Sequence, residues 1–191
     1  MPKIGDDRVE IGPYTIRPWE SADVVWVYEA CQDPSIQRWT RVPAPYRPSD
    51  AVDLVAASAS ERASGRGAPM AIVQTETGEL LGSTGLVRVD WTEGVGEIGY
   101  WLDTAARGRG VMTTVLPGLA AWAFETLGLE VVEARVEHGN LDSERVLARA
   151  GFVRVGDTHC RADDGDPDAS LWEIRRVRAV VPMPRQHGDA P

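Results

Sequence analysis

The chain has little of several things, and each lack removes a class of protein. It carries two cysteines in 191 residues, Cys31 and Cys160, far apart and without metal-ligand spacing. A disulfide framework is not indicated, no metal site is expected, and a reduced cytoplasmic setting fits. No apolar run approaches the length that crosses a bilayer, and the N-terminal MPKIGDDRVE lacks the apolar core of a signal peptide. A soluble protein away from membranes is expected. An excess of basic charge is also missing. The formal net charge of −9 makes nucleic acid or an anionic membrane a poor partner and weakly favours cationic ones. There is no internal repeat and no sign of a second domain. The length suits one domain that buries roughly two-thirds of its surface on folding.

What is present is an alternation of strand and helix patterns. Residues 1–13 are polar, with Gly5, Gly12 and Pro13, and read as a loose lead-in. Tyr14 to Arg17 alternates as a short strand closed by Pro18. Ser21 can cap a helix with apolar positions Ala22, Val25, Trp26 and Ala30, ending near Asp33-Pro34. The following IQRWTRVPAPYRPSD is too rich in proline for an element. Ser49 caps a second helix, with Val52, Val55, Ala56 and Ala59 as its stripe and Gly65 as its stop. Ala68 to Gln74, Leu80 to Val89 and Gly94 to Leu102 read as an antiparallel meander. A helix after Gly110 places Val115, Leu119, Trp122 and Ala123 on one face and stops at Gly128. Pro117 within it predicts a kink or a later start, at a cost of about 3 kcal/mol if fully interior. Val131 to Val136 then runs parallel to Gly96–Leu102, because a helix connects them. Asn140 caps Leu141 to Arg149, which Gly151 stops. Phe152 to Arg161 and Ser170 to Val177 form a last hairpin across the acidic loop Asp163–Asp168, and residues 178–191 read as a disordered tail. The sum is an α/β mixed sheet of seven strands, mostly antiparallel, with four helices.

The chemistry gathers where the third meander strand becomes a helix. Arg107-Gly108-Arg109-Gly110 combines glycines that keep Cβ atoms away, a helix N-terminus with about half a unit of positive charge, and two guanidinium forks. This is a cradle for a phosphate or pyrophosphate. It lacks the lysine and hydroxyl of GxxxxGK[ST], and Thr113 stands where GxGxxG needs its last glycine.

The remaining pattern, Arg107 to Met112, resembles the R/Q-x-x-G-x-G/A signature of the GCN5-related N-acetyltransferases, the GNAT superfamily. Met112 departs from it and would bring a larger side chain near the pyrophosphate. Asn140 to Phe152, NLDSERVLARAGF, resembles the N-x-x-S-x-R-V-L-x-x-x-G-F stretch of the RimJ/RimL-like branch. Ile98-Gly99-Tyr100-Trp101-Leu102 and Trp39-Thr40 with Pro45-Tyr46 look like that branch too. The resemblance covers roughly residues 14 to 177 and implies an acetyltransferase domain whose sheet is splayed at the cofactor site. It implies an acetyl-coenzyme A cofactor held by Arg107, Gly108, Arg109, Gly110, Val111, Met112 and Thr113, with the arm along the backbone of Tyr100, Trp101 and Leu102. Their side chains read as wall or core. Asn140 both caps its helix and, by resemblance, contacts the cofactor. Ser143 either hydrogen-bonds the leaving thiolate or bonds its own backbone. Glu97 either takes or orients the amine proton, or is a strand-end carboxylate; His138 is the alternative base.

The acceptor side would be lined by Trp39, Pro43, Tyr46 and Trp91, an aromatic wall suited to a flat group or a cation. The implied reaction is transfer of acetyl to a primary amine: a peptide N-terminus, a polyamine or an amino sugar. The alternatives are another acyl group such as succinyl, transfer to oxygen, or a non-catalytic acyl-coenzyme A sensor. The oligomeric state stays open, a homodimer included.

Overall fold

The computed structural model describes residues 2–5, 8–158 and 168–177. Its eight-stranded sheet begins with a strand that the sequence reading placed in the loose lead-in. Strand β1 (Val9–Ile11) turns at Gly12, which sits at φ 57, and pairs antiparallel with β2 (Tyr14–Pro18). The glycine and proline that suggested looseness are the hairpin turn. Ile4 is fully buried and its N–H donates to Arg62 O at 3.1 Å, so the chain is anchored well before Tyr14.

Between β2 and the next strand lie three helices rather than two: α1 (Val24–Ala30), α2 (Pro34–Trp39) and α3 (Pro48–Ser64). Ser21 does not cap α1. A 3-10 turn over Ser21–Asp23 precedes it and shifts the helix phase, so Val27, Ala30 and Cys31 are buried while Val25 is 66% exposed. Asp23 is buried with them because Arg17 grips both its oxygens, at 2.7 and 2.9 Å. The Asp33-Pro34 pair, expected as a stop, is the start of α2. Asp33 caps it by accepting from the Ser35 and Ile36 N–H groups, with Pro34 in the first turn. The start of α3 also differs: Arg47 is its N-cap residue and Ser49 lies inside the first turn. Its buried stripe is Ala51, Ser58 and Arg62, with Val52 exposed. The expected stripe is one residue out of phase because the buried face carries polar side chains that find backbone carbonyls inside and outside the helix. Ser58 donates to Leu54 O, and Arg62 donates to Gly5 O and Pro69 O.

The meander is as expected: β3 (Ala68–Gln74), β4 (Leu80–Asp90) and β5 (Val95–Leu102) pair antiparallel in turn. Helix α4 (Val111–Thr126) runs unbroken through Pro117 and starts directly after the cradle, not later. It buries Val115, Leu119 and Ala123 against the sheet, and Gly118 lets it approach Ile11 of β1 closely. Strand β6 (Val131–Glu137) lies parallel to β5. Then come α5 (Leu141–Arg149), β7 (Val153–Thr158) and β8 (Ala169–Arg175). The sheet order is β1-β2-β3-β4-β5-β6-β8-β7, so the final hairpin enters with its second strand against β6. His159, Cys160, most of the acidic loop and the tail lie outside the described residues. Among the described residues no helix is long and apolar enough to cross a membrane.

Two cores result. One, under α4 and α5, centres on Ile16, Ile72, Leu86, Leu116, Leu119, Val132 and Leu147. The other, under α1 to α3, centres on Trp19, Val27, Ile36, Tyr46 and Val73. The sheet thus carries helices on both faces, and its β5–β6 seam separates the elements that build the site.

The buried Arg17–Asp23 pair gives the first prediction. Breaking a buried ion pair strands one charge, so Asp23→Ala costs about 3–5 kcal/mol. The double replacement Arg17→Met with Asp23→Leu costs less than the single one. Urea denaturation of the three proteins checks this; a single-variant loss below about 1 kcal/mol contradicts it.

Candidate active site

The seam opens half-way along. Parallel pairing of β5 with β6 covers Val95↔Val131, Gly96↔Val132, Glu97↔Glu133 and Ile98↔Ala134, and no more. Beyond Ile98, residues 99–102 pair only with β4, while Arg135 to Glu137 pair only with β8. One edge of β5 there offers backbone groups with no strand beside them. Unpaired backbone is costly when buried, so this edge is a place for a strand-like partner. The expected splay is present, at Gly99 to Leu102.

The cradle lies just past that edge. Asp103 accepts from the Ala105 N–H at 2.8 Å and starts a 3-10 turn over Thr104–Ala106. Gly108 and Gly110 both adopt left-handed conformations, φ 71 and 78, which a β-branched residue could hold only under strain. A Cβ at Gly108 would meet nothing within 4 Å, so the loop is open outward. The first α4 bond runs from the Thr114 N–H to Gly110 O at 3.2 Å. The N–H groups of Val111, Met112 and Thr113 therefore have no carbonyl within the helix, and the dipole adds to their pull on an anion. The Thr113 hydroxyl donates to Gly110 O at 2.7 Å and stiffens the turn. Open glycines, aligned N–H groups and a free strand edge fit a diphosphate carried on an extended, amide-bearing arm, as in coenzyme A.

Two features of the cradle go beyond the sequence reading. Met112 is 3% exposed and Val111 1%; both side chains face the core, so Met112 does not crowd the anion. Only their backbone can serve. Arg107 does not stand free beside the glycines. Its Nε and Nη2 donate to Leu102 O at 3.1 and 3.0 Å, and Nη2 lies 3.2 Å from Asp33 Oδ2. Arg109 has a looser tie, an exposed pairing with Glu79 at 3.8 Å, and is the guanidinium able to turn to an anion.

A cleft of about 1140 Å³ opens on the α3 side of the splay. Tyr100, Trp101, Asn140 and Ser143 reach it at the splay, Trp39, Pro43 and Tyr46 at one wall, and Glu97 at its floor. Asn140 caps α5 by accepting from the Ser143 N–H at 3.2 Å, as expected. The Tyr100 hydroxyl donates to the Ser143 carbonyl at 3.4 Å, so Ser143 is held from both sides of its peptide. Burial pushes the Tyr100 phenol up to about 12, and it stays protonated at neutral pH. Trp101 stacks on Trp26 and Trp19, with centroids 5.9 and 6.4 Å away, which makes its side chain packing, as expected. Burial also raises the Tyr46 phenol well above its ordinary range, with Cys31, Asp50 and Asp53 adding to it.

Other candidates fare differently. The Glu97 carboxylate is 3.0 Å from Arg88 and 3.6 Å from Arg135, which also flank Glu133 at 3.4 and 3.5 Å. Two guanidiniums thus hold the Glu97 carboxylate in place beside the seam. His138 does not line the cleft; its Nε2 is 3.1 Å from Asp157 Oδ1. Trp91 does not join Trp39 and Tyr46. Its indole donates to Gly65 O at 2.7 Å and packs against the core beside a separate depression. Of the three aromatic residues expected together, Trp39 and Tyr46 line the cleft. Sequence reasoning missed Asp33, although Asp followed by Pro is a readable helix start.

An open sheet splayed beside a glycine cradle, with a cleft across the seam, has room for an acyl-coenzyme A on one side of the gap and an acceptor on the other. Comparison with known proteins agrees. A family model described as an acetyltransferase (GNAT) domain matches residues 14–153. An uncharacterized N-acetyltransferase, p20 of Bacillus licheniformis, is 27% identical over 142 residues, 74% of this chain and 80% of that protein. A ribosomal-protein-serine acetyltransferase of Escherichia coli is 32% identical over 80 residues, 41% of this chain and 44% of that one. The solved structure of RimL, a ribosomal L7/L12 alpha-N-protein acetyltransferase in complex with coenzyme A, superposes with a TM-score of 0.78. It is 16% identical, and the match covers 88% of this chain and 98% of that one. The chain belongs to the GNAT acetyltransferase family, with a RimJ/RimL-like fold. It is an N-acetyltransferase that uses acetyl-coenzyme A.

Two tests follow. Gly108→Val places a β-branched residue at positive φ and blocks the cradle, so coenzyme A binding by calorimetry weakens by at least about tenfold, as expected for losing charge-assisted hydrogen bonds; unchanged affinity contradicts the assignment. Asp33 is held down to about 2 from 3.8: burial opposes this, and is outweighed by hydrogen bonds from Thr104, Ile36, Arg107 and Ser35. Its folded value lies below the unfolded one, so its stability contribution is full above pH 3.8 and lost as pH falls through about 2. Urea denaturation across that window should show the advantage of wild type over Asp33→Asn shrinking.

Proposed function

We propose that the acceptor is the primary amine of a peptide or protein N-terminus. The observation that carries this reading is the cleft: about 1140 Å³, open to solvent at the unpaired end of the β5–β6 seam, and larger than a polyamine or single sugar fills. Its lining includes the carboxylates Asp50, Asp53, Glu61, Glu97 and Glu137, which suit an ammonium group before it loses its proton. Relatives named as ribosomal-protein acetyltransferases support the same class of acceptor.

Acetyl-coenzyme A supplies a thioester carbonyl, whose carbon–sulfur bond breaks as the carbon–nitrogen bond forms; the ammonium first loses a proton to solvent water, and the proton shed by the attacking nitrogen ends on the departing thiolate through solvent. The chain provides the rest. Backbone N–H groups of Val111 to Thr113, with Arg109, hold the diphosphate. The free edge of residues 99–102 aligns the arm, and one N–H there polarises the carbonyl. Glu97, fixed by Arg88 and Arg135, presents a carboxylate oxygen that orients the incoming amine at the seam. Ser143 stands in the first turn of α5, its backbone held by Asn140 and Tyr100, where its hydroxyl can donate a hydrogen bond to the departing thiolate.

The test is acetyl transfer, followed by thiol release and mass spectrometry, to octapeptides beginning with Ser, Ala or Met, to spermidine and to an amino sugar. Peptides are expected to exceed the small amines in kcat/KM by about tenfold or more, about 1.4 kcal/mol of extra transition-state binding. A polyamine or amino sugar preferred by that margin overturns the acceptor assignment. Ser143→Ala is expected to lower kcat by about tenfold or more with little change in coenzyme A affinity.

A further inference from the structure

Helix α2 occupies a position that neither the cradle nor the cleft explains alone. Its N-terminal end is tied to the β5 side of the splay. Asp33 caps the helix with one oxygen and with the other accepts from Thr104 Oγ1 at 2.6 Å and faces Arg107 Nη2 at 3.2 Å. Arg107 in turn holds the carbonyl of Leu102, the last residue of β5. The C-terminal end of α2 is tied to the β6 side. Arg38 Nη2 is 2.6 Å from Glu137 Oε1, at the end of β6. Arg38 also lies over the Trp39 ring, 4.2 Å from its centroid, and the ring packs near Gly139 in the turn that follows β6. Ile36, between the two ends, is buried in the core that Trp101 of β5 joins.

The helix is therefore a bar across the seam, fastened to both strands where they have stopped bonding each other. We propose that Arg107 is a positioning residue and not a diphosphate ligand: with Asp33 it forms a latch that locks α2 over the open end of the splay. The latch sets the width of the gap that receives the acyl group and places Trp39 as the acceptor wall. This reassigns the first arginine of the cradle. The anion is left to the backbone N–H groups and Arg109, while Arg107 transmits the position of the cradle to the cleft. The inference concerns the placement of α2 and rests on the acceptor reading only for the direction of its kinetic effect.

The experiment uses the full chain and four variants: Asp33→Asn, Arg107→Ala, their combination, and Arg38→Ala at the other end of the bar. Asn still caps a helix, so Asp33→Asn removes the charge facing Arg107 and keeps α2. Amide hydrogen exchange reads residues 35–40 and calorimetry reads coenzyme A. Each single variant should speed exchange of residues 35–40 by about tenfold, and the Asp33–Arg107 double variant should add little, because one interaction is removed twice. Coenzyme A affinity should move by less than about threefold, within ordinary context scatter, in all four. With a peptide that the wild type acetylates, or with spermidine if that is the better acceptor, acceptor KM should rise while that for acetyl-coenzyme A holds. Weakening of coenzyme A by about tenfold or more in Arg107→Ala, with Asp33→Asn unaffected, overturns the proposal and restores Arg107 as an anion ligand. Additive effects on exchange, or none, overturn the latch. If Arg107→Ala does not fold, Asp33→Asn and Arg38→Ala decide on the same readouts. Exchange and calorimetry need no acceptor, so a wrong acceptor class and a wrong latch are separately visible.

Discussion

The structure depends on a seam that is zipped for part of its length and then parts. Hydrogen bonding is what makes a sheet continuous, and a parallel pair that separates leaves donors and acceptors on two facing edges. Here β5 and β6 part after Ile98 and Ala134. Each keeps its outer partner, β4 and β8, so the gap opens without unravelling the sheet. An extended arm with amide groups can replace the missing strand for one edge. The cost of the gap is met by what surrounds it: α4 and α5 on one face, α1 to α3 on the other.

Those surroundings divide the labour. The α4 side supplies the cradle, in which two left-handed glycines turn the chain so that helix N–H groups face outward. The α5 side supplies Asn140 and Ser143, in a first turn fixed by a side-chain cap and by the Tyr100 hydroxyl. The opposite face supplies the cleft and its carboxylates, over a floor where Arg88, Glu97, Glu133 and Arg135 neutralise one another. The carboxylates of the cleft and the helix N–H groups of the cradle with Arg109 thus belong to different surfaces. One suits a cationic acceptor and the other an anionic donor.

Much of this was legible because the signals were local. Glycines at a strand–helix junction, an Asn at a helix start and apolar alternation in the meander each declare their own backbone. The parts that misled were those in which a side chain acts at a distance. Residues 1–13 looked loose because Gly12 and Pro13 were weighed without Ile4 and Ile11, whose burial is against later elements. The stripe of α3 was out of phase because Arg62 is buried by bonding to distant carbonyls. Trp91 was assigned to the acceptor wall on residue type alone, yet its indole is spent on Gly65. Arg107 is the sharpest case. Its place in the motif suggests the anion, while its contacts are with Leu102 and Asp33, some seventy residues upstream of it in the chain; no spacing rule could pair them.

The central claim is that the free edge of β5 and the first turn of α4 receive one extended, anionic molecule. Amide hydrogen exchange with and without acetyl-coenzyme A measures it directly. Residues 99–102 and 111–113 should become protected together on addition of acetyl-coenzyme A, with the paired stretch of residues 95–98 unchanged. Protection at the cradle without protection at residues 99–102, or at neither, would contradict the account.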